Sequence, residues 1–102
     1  MPETLVLETT FRITNRGLVL ATREWTGVIR VGQRVLLPDG RGGFRAEVIT
    51  GIETGRRVDD NGEPIVWIGV LLGELPEGEI GRVEAQLRTG EVLVVDDSER
   101  TA

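Results

Sequence analysis

Residues Asn15–Leu37 read NRGLVLATREWTGVIRVGQRVLL. An apolar-rich run, Leu18–Ala21, leads through Thr22-Arg23-Glu24-Trp25-Thr26-Gly27 into a second run, Val28–Val31, and a third follows at Val35–Leu37. Apolar runs this short, separated by glycine, predict strands rather than helices. Gly17, Gly27 and Gly32 mark places where the backbone turns or is closely approached. The rest of the chain reads as strands added around this stretch.

Upstream, Leu5, Leu7, Thr9, Phe11 and Ile13 alternate with mostly polar residues, so Leu5–Thr14 predicts one half-buried strand. Asn15-Arg16-Gly17 is a turn, Leu18–Glu24 the second strand, Glu24–Gly27 a turn and Val28–Val31 a short third piece. Arg34–Leu37 is a strand stopped by Pro38-Asp39-Gly40, where Pro presets φ and Gly takes a positive φ. Phe44–Glu53 is the next strand, Thr54–Pro64 a polar loop turning at Asp59-Asp60-Asn61-Gly62, and Ile65–Leu72 an almost wholly apolar central strand. The pattern over Glu79–Thr89 fits strand and helix about equally. Glu91–Val95 is the last strand, before a polar tail over 96–102. The expected fold is one all-β domain with a core over residues 5–95, a closed Greek-key-like barrel of about six strands that leaves no unpaired edge.

Composition excludes much chemistry. The chain of 102 residues has no Cys, no His and no Lys, and Ser98 is its one serine. Disulfides, thiolate metal ligands, Cys-His and Ser-His-Asp arrangements are ruled out, and with them the commonest general base. No phosphate-cradling Gly-x-x-x-x-Gly-Lys-Ser/Thr loop occurs, so no nucleotide binding is expected. The expectation is no enzyme, no cofactor and no metal; the acidic pairs Asp59-Asp60 and Asp96-Asp97 lack calcium-loop spacing and read as turn and tail residues. Net charge is −5, which does not favour a free nucleic-acid binder. No apolar run reaches the ~20 residues of a membrane helix, and the acidic start Met1-Pro2-Glu3-Thr4 does not read as a signal peptide, so a cytoplasmic location without membrane contact is expected.

Five motifs in order carry a resemblance. They are Phe11-Arg12-Ile13-Thr14-Asn15-Arg16-Gly17, Gly27-Val28-Ile29-Arg30-Val31-Gly32-Gln33-Arg34-Val35, Ile49-Thr50-Gly51-Ile52-Glu53, Ile68-Gly69-Val70-Leu71-Leu72 and Gly90-Glu91-Val92-Leu93. Together they resemble the second domain of translational GTPases, the elongation factor Tu-like β-barrel, over roughly residues 5–95. The first two motifs are separated as in that family, without a gap. In the family the GTPase domain hydrolyses nucleotide, and the barrel docks aminoacyl-tRNA, ribosomal RNA or neighbouring domains.

The resemblance places an aminoacyl-end pocket at Glu8, Thr9, Phe11, Ala21, Glu53 and Trp67. Glu8, Phe11 and Glu53 keep the family's residue types. Thr9 replaces an aspartate, Ala21 a threonine and Trp67 a small polar residue, so the pocket is expected to be degenerate and aminoacyl recognition lost. Trp67 is expected to be largely buried and to fill it, with Val66 and Ile68 turned the other way. Phe11 is expected in the core, and Glu53 as a solvated strand-end carboxylate. Arg16 and Gly17 match a loop that touches ribosomal RNA in several relatives. Arg41, Arg45, Arg56 and Arg57 would extend a basic rim, with Arg56-Arg57 the best RNA candidate; the plainer alternative is solvated charge interleaved with Asp39, Glu47, Asp59 and Asp60.

Trp25, in its predicted turn, is either an exposed contact anchor flanked by Arg23 or a cap folded over the barrel end. The reading favoured by the acidic balance and the altered pocket is a non-catalytic, stand-alone interaction module that binds a protein partner or itself. The alternative is an RNA- or ribosome-binding translation-associated protein.

Overall fold

A computed structural model describes residues 3–97. Nine strands form two antiparallel sheets. The strands are β1 (Glu3–Val6), β2 (Thr9–Ile13), β3 (Gly17–Thr22), β4 (Glu24–Trp25), β5 (Arg34–Pro38), β6 (Phe44–Val48), β7 (Gly51–Val58), β8 (Pro64–Leu72) and β9 (Val92–Asp96). Sheet A has the order β4-β1-β9-β5-β6, and sheet B the order β2-β3-β8-β7. A 3-10 turn at Glu77–Glu79 leads into α1, Ile80–Gln86, the one α-helix among the described residues.

The all-β expectation holds, but the closed ring of about six strands does not describe the ladders. Two of the expected strands are each broken in two. The stretch Leu5–Thr14 bends at Leu7–Glu8, and Phe44–Glu53 bends at Ile49–Thr50, so each passes from sheet A to sheet B. Backbone bonds stitch each corner to both sides. Leu7 N–H donates to the Glu91 carbonyl at 2.8 Å and Glu8 N–H to the Ala21 carbonyl at 2.9 Å, while Ile49 N–H donates to the Gln33 carbonyl at 2.8 Å and Thr50 N–H to the Leu71 carbonyl at 2.9 Å. Among the described residues no ladder joins the two sheets into a ring. The bends are hidden in the sequence because Leu7 and Ile49 keep the alternation going; both point into the core and are essentially inaccessible.

The core lies between the sheets. Sheet A contributes Leu5, Val35, Leu37, Leu93 and Val95, and sheet B contributes Leu18, Leu20, Ile68, Val70 and Leu72. Helix α1 closes one end with Ile80 and Val83, which settles the ambiguous 79–89 stretch as helical. Arg12 of β2 donates to the Glu84 carboxylate at 2.7 Å, which holds the helix against sheet B and keeps the guanidinium firmly charged. Thr22, fully buried, sews the sheets together. Its hydroxyl donates to the Val6 carbonyl at 2.6 Å and accepts the Glu24 N–H at 3.0 Å. Left unpaired, that buried hydroxyl would cost more than the bonds return, so position 22 needs a polar side chain of this shape.

Two further boundaries differ. Val28–Val31 is not a strand: Val28 and Val31 are exposed, and only Ile29 packs on the core. The loop is held by buried Gln33, whose Oε1 accepts the Arg30 N–H at 2.6 Å while its Nε2 donates to Glu3 at 3.1 Å. Glu24–Trp25, expected as a turn, is a short strand paired with β1. The expected 54–64 loop shrinks to a tip, because β7 and β8 continue as a paired hairpin to Val58 and Pro64. The tail expected over 96–102 lies mostly outside the described residues; Asp96 ends β9.

The β7–β8 and β5–β6 hairpin tips are each organised by an aspartate. Asp59 accepts the N–H groups of Asn61 and Glu63, both at 2.9 Å, so it builds a turn rather than a cation site. Asp39 does the same at the β5–β6 tip, accepting the Arg41 N–H at 2.7 Å and the Gly43 N–H at 3.1 Å. Those bonds hold its carboxyl below the ordinary carboxylate range. The contribution of Asp39 is therefore complete above the unfolded value and lost as pH falls through the lowered folded value. Denaturant titrations should show Asp39→Ala less stable than wild type at neutral pH, with the gap shrinking as the pH falls below the ordinary carboxylate range.

Candidate functional site

Cross-strand partners share a face, and side chains alternate along each strand. The register therefore assigns the two faces of sheet B. Leu18, Leu20, Ile68, Val70 and Leu72 face the core, so the outer face carries Thr9, Phe11 and Ile13 of β2, Val19 and Ala21 of β3, Trp67, Gly69 and Leu71 of β8, and Gly51, Glu53, Gly55 and Arg57 of β7. This face is unusual for a solvent side. Val19, Ala21 and Leu71 are buried although they are not part of the core between the sheets. Three glycines thin the surface beside them.

Gly55 lies opposite Trp67, and a Cβ at position 55 would overlap the indole ring. The ring thus lies flat across the bare backbone of β7. On the other side a Cβ at Gly69 would come within 3.0 Å of Val19 and 3.3 Å of the same indole. The glycines are what allow a tryptophan to lie down on the sheet and form a wall.

Beside that wall is a groove of about 200 Å³ lined by Glu8, Thr9, Phe11, Ala21, Arg23, Arg57 and Trp67. Five of these seven are the residues the resemblance assigned to a degenerate pocket, and the fold does bring them together. Trp67 is largely though not fully buried, and it borders the groove instead of filling it. Phe11 is 40% exposed, not a core residue; its alternation with Arg12 puts it on the outer face, where the period-two pattern alone cannot tell core from groove. Ile68, as expected, points the opposite way into the core.

Charge sits on the rim. Arg23 Nε lies 2.8 Å from Glu8 Oε1, an ion pair at the mouth of the groove. Arg57 lines the groove and has no ion-pair partner among the described residues. Arg56 alternates to the opposite face of the hairpin, so the Arg56-Arg57 pair is not one basic patch. Glu53 is absent from this groove. It borders an adjoining depression of about 140 Å³ with Ile13, Arg16, Val19 and Leu71, and its contact with Arg16 is a loose one of 4.0 Å between exposed groups.

Gly17, expected on a contact loop, is buried and structural. Asn15 and Gly17 take φ of 64° and 123° to turn β2 into β3. Arg41 and Arg45 stand apart beside α1, where Arg45 donates to Glu47 at 2.8 Å and Glu79 at 2.6 Å. The basic rim therefore divides into separate pieces, of which Arg45 is firmly paired with carboxylates. Among the described residues no group of three acidic, His or Cys side chains could hold a metal ion, and no helix is long and apolar enough to cross a membrane.

Trp25 is not a free anchor. It shares a face with Leu5, packs partly buried against the core, and closes the β4 edge of sheet A. The depression beside it, about 420 Å³ and lined by Thr4, Val6, Arg23, Glu24 and Thr26, is wide and open. Trp25→Ala is therefore expected to destabilise the fold by about 2 kcal/mol, less than a fully buried Trp→Ala. A thermal midpoint within a degree of wild type would contradict this placement.

Sequence reasoning found Glu8, Thr9, Phe11, Ala21 and Trp67 but missed Gly55 and the role of Arg57 in the same groove. The signal was present: Gly55 and Trp67 are cross-strand partners once the hairpin is folded about Asp59–Glu63. No family model matches the chain.

Proposed function

We propose that this protein is a non-catalytic, cytoplasmic binding module whose working surface is the outer face of sheet B, and that its ligand is an extended segment of a protein partner. The observation that carries this reading is the groove itself. An apolar floor, the exposed Phe11 ring, the partly accessible Trp67 ring and an arginine with no ion-pair partner among the described residues converge on one concave surface, the usual make-up of a recognition site. The absence of Cys, His and Lys leaves the groove without the usual nucleophiles or bases. A bound segment would lay an apolar side chain between Phe11 and Trp67 and an acidic group on Arg57. The resemblance to the elongation factor Tu-like second domain supports the same face, and the bent corners at Leu7–Glu8 and Ile49–Thr50 fit a barrel-like parent of that kind.

A second reading, single-stranded RNA, is favoured by one observation: Phe11, Trp67 and Arg57 also have the composition of a base-stacking platform. The net charge of −5 weighs against it. Peptide selection from a random displayed library, counter-tested on Arg57→Glu and Trp67→Ala, separates the two. Peptides pairing an apolar side chain with an acidic one should be enriched and should bind Arg57→Glu at least tenfold more weakly. Failure to enrich any peptide, with steeply salt-dependent binding of short RNA instead, would favour the second reading. Peptides that bind both variants as well as wild type would refute the site.

A further inference from the structure

The outer face of sheet A carries a strip of apolar side chains, with Phe44 and Val92 exposed. Leu5, Leu93, Val95, Val35 and Leu37 point into the core, so their neighbours along each strand point out. Pairing then aligns the outward residues in rows. Val6 sits beside Val92, and Pro38 beside Phe44, with Val92 and Phe44 59% and 69% exposed. Leu36 sits beside Ala46 in the next row, and Val94 lies on the same face. In the last row Asp96 of β9 is the direct partner of Arg34 of β5, with Val48 beyond. Among the described residues these two charges form no ion pair with each other or with any other group. Thr4, beside Val94, and Glu24, beside Val6 at the β4 edge, are the other polar residues of this face. The strip from β9 to β6 is apolar apart from Arg34 and Asp96. An apolar strip with one charge of each sign unpaired among the described residues is the make-up of an interface rather than of a solvated surface.

We propose that this face binds a second copy of the chain, with the two-fold axis running along the strands between β9 and β5. The register is self-complementary about that axis. Turning a copy over places its Arg34 above Asp96 of the first, and its Asp96 above Arg34. The same rotation places Val94 over Leu36 and Val6 over Phe44. Opposite charges meet twice and apolar residues cover apolar residues, which is the defining property of an isologous interface. The strands of the two copies stay nearly aligned, as packed sheets prefer.

Strands β1, β9, β5 and β6, four or five residues each, present roughly 300 Å² of projected sheet, below the ~800 Å² per partner of a standard stable interface. The dimer is therefore reversible and depends on protein concentration. It leaves the sheet B groove of each copy open on the far side, so the pair would bind a partner with two sites at once. The inference does not depend on what that groove binds.

Sedimentation equilibrium over a concentration series tests it. Wild type should shift from monomer to dimer, and Phe44→Asp and Val92→Asp should each weaken association at least tenfold while keeping the wild-type circular dichroism and thermal midpoint. Two exposed positions are used so that a folding defect in one leaves the other to decide. The axis itself is tested by charge reversal. Arg34→Asp alone and Asp96→Arg alone should be monomeric, while an equimolar mixture of the two should associate as wild type does. A wild-type chain that stays monomeric at about 1 mM, a dimer that survives both Phe44→Asp and Val92→Asp, or a mixture that fails to associate would each overturn the proposal.

Discussion

Replacing Gly17 by alanine is expected to destabilise the protein by about 3 kcal/mol, from backbone strain plus an unavoidable clash. Gly17 holds a φ of 123°, where an L side chain is strained whatever space surrounds it. Space is also missing: a Cβ there would sit 2.9 Å from the Leu72 carbonyl oxygen and 3.2 Å from the Gly73 Cα, both backbone atoms. Backbone at this place cannot yield cheaply, because Leu72 is paired with Leu18 in the centre of sheet B. For a domain of this size such a loss lowers the thermal midpoint by roughly 12–24 °C. A drop of less than about 3 °C would mean that the β2–β3 turn can be rebuilt without strain and that the register at Gly17 is not fixed by close approach. The result also bears on function. A contact glycine on an exposed loop would tolerate alanine in stability and lose only binding; a buried one does the reverse.

The largest expected effect on the working surface comes from Gly55→Ala. The new methyl group would occupy the space of the Trp67 indole, so the ring must leave its place on β7. Overpacking of this kind costs about 1–3 kcal/mol, the lower end applying because the sheet B face is open and the ring can swing away. Binding should suffer more than folding. With the wall of the groove gone, affinity for a selected peptide should fall more than tenfold, about the 1.4 kcal/mol that one decade represents. Tryptophan emission should shift to the red as the indole enters water, while Trp25, on the other sheet, stays unchanged. Unaltered emission with unaltered affinity would show that Trp67 does not build the groove.

Much of this architecture was legible in the sequence, and the failures have physical causes. Ile65–Leu72 was readable because a strand covered on both faces is apolar without alternation, and the apolar run from Leu18 marked the strand expected over Leu18–Glu24, which ends at Thr22. The structure shows why both faces are covered: the core lies on one side, and Phe11 and Trp67 shelter Val19, Ala21 and Leu71 on the other. The two sheets were not readable, because Leu7 and Ile49 carry the period-two pattern straight through the corners where the chain changes sheet. Val28–Val31 was misread because an apolar run does not reveal whether it has a strand to pair with; here Gln33 supplies the hydrogen bonds of a loop instead. Phe11 was assigned inward, since polarity patterns distinguish one face from the other but do not say which face is the core. Trp25 was placed on a turn because a two-residue strand leaves almost no periodic signal. Arg57 could not be placed because alternate residues of a hairpin separate Arg56 and Arg57 onto opposite faces only once the pairing of Gly55 with Trp67 is known.

The central claim is that the outer face of sheet B, between Phe11 and Trp67, is the binding surface. The chain has two tryptophans, so an amide correlation spectrum holds two indole N–H signals, one from each sheet. Titrating a library-selected peptide into the labelled protein should move the Trp67 indole signal, together with the amides of Phe11, Ala21 and Arg57, and leave the Trp25 signal in place. A titration that moves Trp25 and the β1–β4 amides while the Trp67 signal stays fixed would contradict it.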